Sequence, residues 1–292
     1  MRALAFAWAI SIAAGTSAAA PQRVASLNLC TDELVLSLAR PEQIATVTHL
    51  SRDPRESVLW RMARRYPSND GSLMAAATMR PDLVVAMGGG GRDRGLIADA
   101  IGAKLIVLPY PQGLDDVEAA IARVAAALGR DEAGRALIAS IREVRRSAPV
   151  RSHDAIFLSG GGRSLSADGI GAQWLRLAGL RQRPLKGDRI EAETMLTMPP
   201  ELLVRSNYRA DQLSREEQWL EHPALRRVRA PRVATDGRRW TCMGPTLLPE
   251  VMRLRRVAQA SHFVIPAKAG IPLSLDGKRR SGIPAFAGMT GK

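Results

Sequence analysis

The side chains able to do chemistry are few, and their spacing builds no familiar reaction centre. The four histidines, His49, His153, His222 and His262, contain no i, i+4 pair, which excludes a helical His-x-x-x-His metal site. Two cysteines, Cys30 and Cys242, are too few for a four-cysteine zinc or iron–sulfur site or for a disulfide-rich scaffold. The glycines at 88–91 fit G-x-G-x-x-G at no register, and no Lys-Ser or Lys-Thr follows them at phosphate-loop spacing. Ser159 sits in Leu-Ser-Gly-Gly-Gly instead of the G-x-S-x-G elbow that exposes a hydrolase nucleophile. Neither cysteine nor any serine stands with a histidine and an acid in a recognisable pattern. A binding protein fits these residues better than an enzyme, and neither a metal nor a cofactor is expected.

What must position a ligand is a set of loops, and the loops follow from the strands. Short apolar runs bounded by turn residues predict strands at 24–27, 44–48, 83–86 and 105–108. Between them lie helices at 32–39, 95–100 and 114–128. The first is expected to have Thr31 as its N-cap and two acids, Asp32 and Glu33, in the first turn, where the dipole favours them. Gly129 closes the third. An amphipathic helix follows at 131–144, with Leu137, Ile138 and Ile141 on one face, reaching Ser147 before Pro149 breaks it. The alternation then restarts, with strands at 155–158, 202–205 and 232–235 and helices at 171–178, 191–196 and 247–257. Repeated strand–helix–strand order implies parallel pairing. The expected architecture is α/β: two lobes, 21–130 and 150–260, joined by a single long helix at 131–149, with the ligand cleft between them.

In open α/β sheets, ligands collect beyond the carboxyl ends of the strands. Those ends carry Ser26-Leu27-Asn28, residues 87–91, Pro109-Tyr110, residues 159–162, Ser206-Asn207-Tyr208 and residues 236–240. Asn28, Tyr110, Gly160, Tyr208 and Trp240 are accordingly the expected ligand-binding residues: flat rings for contact and a glycine for close backbone approach. Each aromatic ring has an alternative, packing beneath its own loop.

Composition limits the class of partner. The chain has 292 residues, 46% hydrophobic and 24% charged, which describes a folded globular protein. Its net charge of +14 comes mostly from arginine spread along the chain and set beside acids, as in Arg92-Asp93-Arg94. That pattern reads as a solvated surface, and no nucleic-acid partner is expected. Residues 1–20 read as an export signal: Arg2, an apolar stretch at 3–14 too short to span a bilayer, and Ala18-Ala19-Ala20 before Pro21. No lipobox precedes Cys30, so cleavage near Ala20 without lipid anchoring is expected, in a compartment that permits a disulfide. Near the other end, Ile-Pro-Ala-Lys-Ala-Gly-Ile at 265–271 recurs as Ile-Pro-Ala-Phe-Ala-Gly-Met at 283–289. This segment resembles the translation of a dispersed intergenic repeat, and 261–292 is expected to be disordered.

Several stretches together resemble one family. They are Arg-Val-Ala-Ser-Leu-Asn-Leu-Cys-Thr-Asp at 23–32, Arg-Pro-Asp-Leu-Val-Val at 80–85, Ile-Gly-Ala at 101–103, His-Pro-Ala-Leu at 222–225 and Arg-Trp-Thr-Cys-Met-Gly-Pro at 239–245. From about Arg23 to Val257 the chain is similar to the periplasmic binding proteins of ABC importers for cobalamin and iron–siderophore complexes. The resemblance implies a monomeric periplasmic protein that holds a metal chelate (cobalamin, haem or a ferric siderophore) between its lobes and delivers it to a permease dimer. It also implies one glutamate per lobe for docking on permease arginines. Glu193 stands at that position in the second lobe; in the first, the position six before Arg80 is Met74, with Asp70 the nearest upstream acid. In this architecture the final helix returns to the first lobe, which would bring Cys30 and Cys242 within reach of a disulfide. Two other readings remain: an exported α/β enzyme acting on a small anionic substrate through Arg238 and Arg239, and a degenerate binding protein that folds without delivering.

Overall fold

Two runs of strand–helix alternation produce two parallel sheets. The computed structural model describes residues 20–89, 91–212 and 214–260, so the export signal expected over 1–20 lies, all but Ala20, outside the described residues, as does the expected disordered tail at 261–292. The first sheet contains β1 (Val24–Ser26), β2 (Ile44–Thr48), β3 (Ser68–Asn69), β4 (Leu83–Met87) and β5 (Lys104–Leu108), in the order β3-β2-β1-β4-β5. The second contains β6 (His153–Leu158), β7 (Leu180–Gln182), β8 (Leu202–Ser206) and β9 (Arg232–Thr235), in the order β7-β6-β8-β9. Every neighbouring pair is parallel. In each sheet the winding reverses direction at one place, between β1 and β4 and between β6 and β8. Strand ends at such switch points splay apart and open a crevice.

Helices cover the sheets. The first half carries α1 (Leu29–Leu38), α2 (Trp60–Ala63), α3 (Leu73–Ala77), α4 (Gly91–Ala100) and α5 (Leu114–Leu128), followed by α6 (Asp131–Arg146). The second carries α7 (Ile170–Leu177), α8 (Ala192–Thr197), α9 (Arg215–Leu220), α10 (Pro223–Arg227), α11 (Arg239–Cys242) and α12 (Leu248–Ala260). All five residues of β4 are buried, as expected of a central parallel strand covered on both faces. Val117, Ile121, Val124 and Leu128 recur at helical spacing on the buried face of α5. Strands β3 and β7 are missing from the sequence reading because two or three edge residues carry no periodicity.

The start of α1 differs from expectation. Its N-cap is Asn28, not Thr31: Asn28 Oδ1 accepts from the Thr31 amide at 2.8 Å, and Thr31 Oγ1 accepts from the Asn28 amide at 3.2 Å. Asn-x-x-Thr here works as a reciprocal capping box. Asp32 and Glu33 are not dipole partners in solvent but buried acids with fixed tasks. Asp32 accepts from the Thr48 amide at 3.1 Å, at the end of β2. Nearby, Asp82 accepts from the Gln22 and Arg23 amides at 2.7 and 3.0 Å, so the Arg-Pro-Asp-Leu-Val stretch clamps the entry of β1.

Helix α6, 16 residues and about 24 Å long, stands in the chain between the two sheets. It ends at Arg146, with Ser147 as C-cap, short of the predicted limit. Arg142 and Arg145 bind Glu118 of α5 at 2.7 and 2.9 Å. The same C-terminal end is also held by Arg255 of α12, a buried residue that donates to Val144 O at 2.8 Å and to Leu177 O, at the end of α7, at 2.6 Å. One guanidinium thereby satisfies carbonyls at two helix C-termini, where the dipoles favour a cation. Helix α12 itself packs on α7 and β9. The return to the first half is made instead by the segment ahead of it, residues 239–247.

Candidate functional site

The crevice at the second sheet's switch point is lined by the ends of three strands. Phe157 and Ser159 come from β6, Ser206 and Tyr208 from β8, and Gly237 and Trp240 from the turn after β9; with Arg163, Thr241 and Met243 they enclose a pocket of about 260 Å³. Its floor is aromatic: the Phe157 and Trp240 rings lie 4.9 Å apart at 54°. Trp240 Nε1 donates to Thr235 Oγ1 at 2.8 Å, and Thr235 donates to Glu250 at 2.6 Å, so the indole is oriented from beneath. Arg163 has no ion-pair partner among the described residues and supplies positive charge at the edge.

Opposite stands the first half. Tyr208 Oη donates to Glu56 Oε2 at 2.6 Å, Arg209 pairs with the same carboxylate, and Arg238 Nη1 donates to Pro54 O at 2.6 Å. Glu56 is buried under these contacts. Burial and the Glu56 carboxylate together raise the Tyr208 phenol above its usual range, so the ring presents a neutral hydroxyl at physiological pH. Three polar contacts thus draw the halves together beside the pocket.

No family model matches the chain, and no curated protein does. Solved structures do. The periplasmic haem-binding protein BhuT in complex with two haems superposes with a TM-score of 0.61 at 20% identity, covering 80% of this chain and 96% of that one. A periplasmic haem-binding protein from Pseudomonas aeruginosa gives 0.61 at 18%, covering 81% and 92%. The periplasmic vitamin B12-binding protein BtuF of Vibrio cholerae gives 0.55 at 16%, covering 82% and 99%. The chain has the fold of a periplasmic solute-binding protein. That fold is α/β, as the sequence resemblance implied, with parallel sheets in both halves.

Within this fold, two of the five expected ligand residues, Tyr208 and Trp240, line one pocket. Asn28, Tyr110 and Gly160 do not line it. Asn28 has spent its side chain, capping α1 and donating to Met87 O at 3.1 Å. Tyr110 is 63% exposed and lies over Gly88, where a Cβ would come within 2.4 Å of the ring. Gly162, two residues beyond Gly160, has φ of +71° and meets the Trp219 ring, 2.8 Å from where a Cβ would stand. One glycine of each run, Gly88 and Gly162, thus admits a close approach by one of the protein's own aromatic rings. Arg238 and Arg239 are engaged too, by Asp236 at 2.7 Å and by Thr246 O at 2.6 Å. Glu193 is exposed in the first turn of α8, and Met74, in α3, is 65% exposed. Sequence reasoning missed Glu56, which carries no motif; its role exists only where residues 56 and 208 meet.

Cys30 and Cys242 form a disulfide with Cα atoms 5.1 Å apart. Beside it, Glu33 Oε1 accepts from the Thr246 amide at 2.8 Å, fastening α1 to the returning segment. Burial pushes Glu33 up to about 7 and Asp32 up to about 6, while amide and hydroxyl donors pull the other way. Between pH 4.5 and 7 the folded state keeps protons that the unfolded chain releases, so stability falls as pH rises across this window. For Glu33 the loss is on the order of 3 kcal/mol. Asp236 and Glu250 are held below their ordinary values and titrate outside it. The Tm of the wild type is expected to drop from pH 5 to pH 8, and by a smaller amount in Glu33→Gln, whose amide oxygen still accepts from Thr246. Parallel profiles in differential scanning calorimetry would contradict this account of Glu33.

Proposed function

We propose that the chain is the solute-binding component of an ABC importer, exported through a signal ending near Ala20, working in the periplasm as a monomer without a lipid anchor. Its cargo is a metal chelate (cobalamin, haem or a ferric siderophore), delivered to the permease dimer in the inner membrane. One observation carries this reading. Tyr208 and Trp240, from neighbouring strand ends of one sheet, share a pocket at a switch point, and Tyr208 is held across the cleft by Glu56 of the opposite half. A pocket with a flat aromatic floor and a polar rim suits a large, rigid ligand gripped from two sides. Its volume of about 260 Å³ is below the roughly 300–1,000 Å³ of filled small-molecule sites, so the Glu56 contacts part when cargo enters. Exposed Glu193 supports a docking role on the permease. Met74, exposed where the family resemblance expects the second acid, offers no charge to a permease arginine and favours an altered docking mode in the first half.

Thermal unfolding of the exported chain with cyanocobalamin, haemin and several ferric siderophores tests the reading. A ligand at 100 times its Kd stabilises by about 2.7 kcal/mol, which for this size raises Tm by roughly 5–10 °C. One chelate is expected to give that shift. A cooperative transition that none of them moves would remove the chelate-binding function.

A further inference from the structure

A second pocket lies at the outer edge of the same cleft. It has a volume of about 700 Å³ and is bounded by the loop after β2, by Ser68 at the edge strand β3, and by Asp211 from the opposite half. Three arginines, Arg52, Arg55 and Arg64, face it together with two aspartates, Asp53 and Asp211. Their charges are not evenly spent. Arg55 pairs with Asp53 at 3.3 Å. Arg52 and Arg64 have no carboxylate partner among the described residues. Arg52 Nη1 donates to Ser68 Oγ at 2.8 Å, and its Nε is buried with no acceptor. Arg64 Nε donates to the Arg52 carbonyl at 3.2 Å, both residues line the same pocket, and the Arg64 Cζ lies 4.7 Å from the Trp60 ring centre. Stacking on an indole fixes the plane of a guanidinium while leaving its edge N–H groups free.

An unpaired buried donor is costly, and a guanidinium fork without a carboxylate partner matches a planar oxyanion bidentately. We propose that this pocket binds the carboxylate arms of an anionic chelate, with Arg52 and Arg64 as the receiving pair. The claim that such a ligand is cargo rests on the transport reading above; the carboxylate site itself does not. It names the class of cargo: a polycarboxylate chelate in preference to a neutral one.

The test compares wild type with Arg52→Gln/Arg64→Gln and Arg52→Lys/Arg64→Lys in calorimetric titrations against haemin, haemin dimethyl ester, ferric citrate, iron-free citrate, inorganic phosphate and cyanocobalamin. The glutamine variant is expected to lose at least ten-fold in affinity for ferric citrate or haemin, with no change for the ester or cyanocobalamin. The lysine variant, which keeps the charge but not the fork, is expected to bind citrate with an affinity between those of the glutamine variant and wild type, and this partial recovery shows that the loss is not misfolding. Chelates bound equally by wild type and the glutamine variant would overturn the pocket and leave the transport function standing. Citrate bound by wild type and lost in the variant, with no chelate bound at all, would keep the pocket and overturn transport. Phosphate competing as well as citrate would overturn the carboxylate assignment.

Discussion

Replacing Cys30 and Cys242 with serine is expected to lower Tm by about 10–20 °C. The bond closes a loop of 212 residues, and in the chain-entropy account a loop that long stabilises by roughly 5 kcal/mol. For a protein of this size each kcal/mol moves Tm by about 2–4 °C. The effect has a second part. Cys242 lies between Thr241 and Met243, both of which line the aromatic pocket, while Cys30 belongs to α1 in the other half. The bond therefore anchors one wall of the site to the opposite half, and the double-serine variant is expected to bind its ligand less tightly as well as melt earlier. Calorimetry of the oxidised, reduced and double-serine proteins measures the first part, and titration of the tightest chelate measures the second. A Tm within about 3 °C of wild type would show that Glu33–Thr246 and the surrounding packing hold this junction unaided.

The Trp240→Ala substitution is expected to cost about 3–5 kcal/mol and to abolish ligand binding. Trp240 is only 5% exposed, packs on Phe157, and donates its indole N–H to Thr235. Truncation leaves a cavity under the pocket and takes from Thr235 Oγ1 the indole donor it accepts from, while its own bond to Glu250 stays. Trp240→Phe separates the two consequences. It keeps most of the ring volume and loses the hydrogen bond, so a smaller loss of stability of about 1–2 kcal/mol is expected, with binding retained in weakened form. Chemical denaturation gives the stability differences, and the thermal shift with ligand gives the binding. Full ligand response in the alanine variant would place the site elsewhere on the molecule.

Trp240 follows a strand end closely, and that part of its position is legible in the sequence. Its place just after a strand marked it for the crevice, because strand position sets loop position. Its orientation is not encoded by that position, and in the structure the ring is both buried and part of the pocket lining. Tyr110, which also follows a strand end, lies over Gly88 and outside the pocket: it belongs to the first sheet, whereas the pocket is built from strand ends of the second. Asn28 also follows a strand end, and its spacing to Thr31 engages its side chain as the cap of α1.

The chain by itself determined the two α/β halves, the parallel pairing and the long central strands. These follow from local periodicity, turn residues and the need to bury apolar runs between helices, all of which a linear sequence carries. Only the tertiary structure decided the order of strands, the switch points, the Cys30–Cys242 bond and the contact of Glu56 with Tyr208. Those depend on which segments meet across 212 and 152 residues of chain. No short-range pattern encodes such meetings, because their energies exist only after both sheets have formed and their ends have been brought face to face.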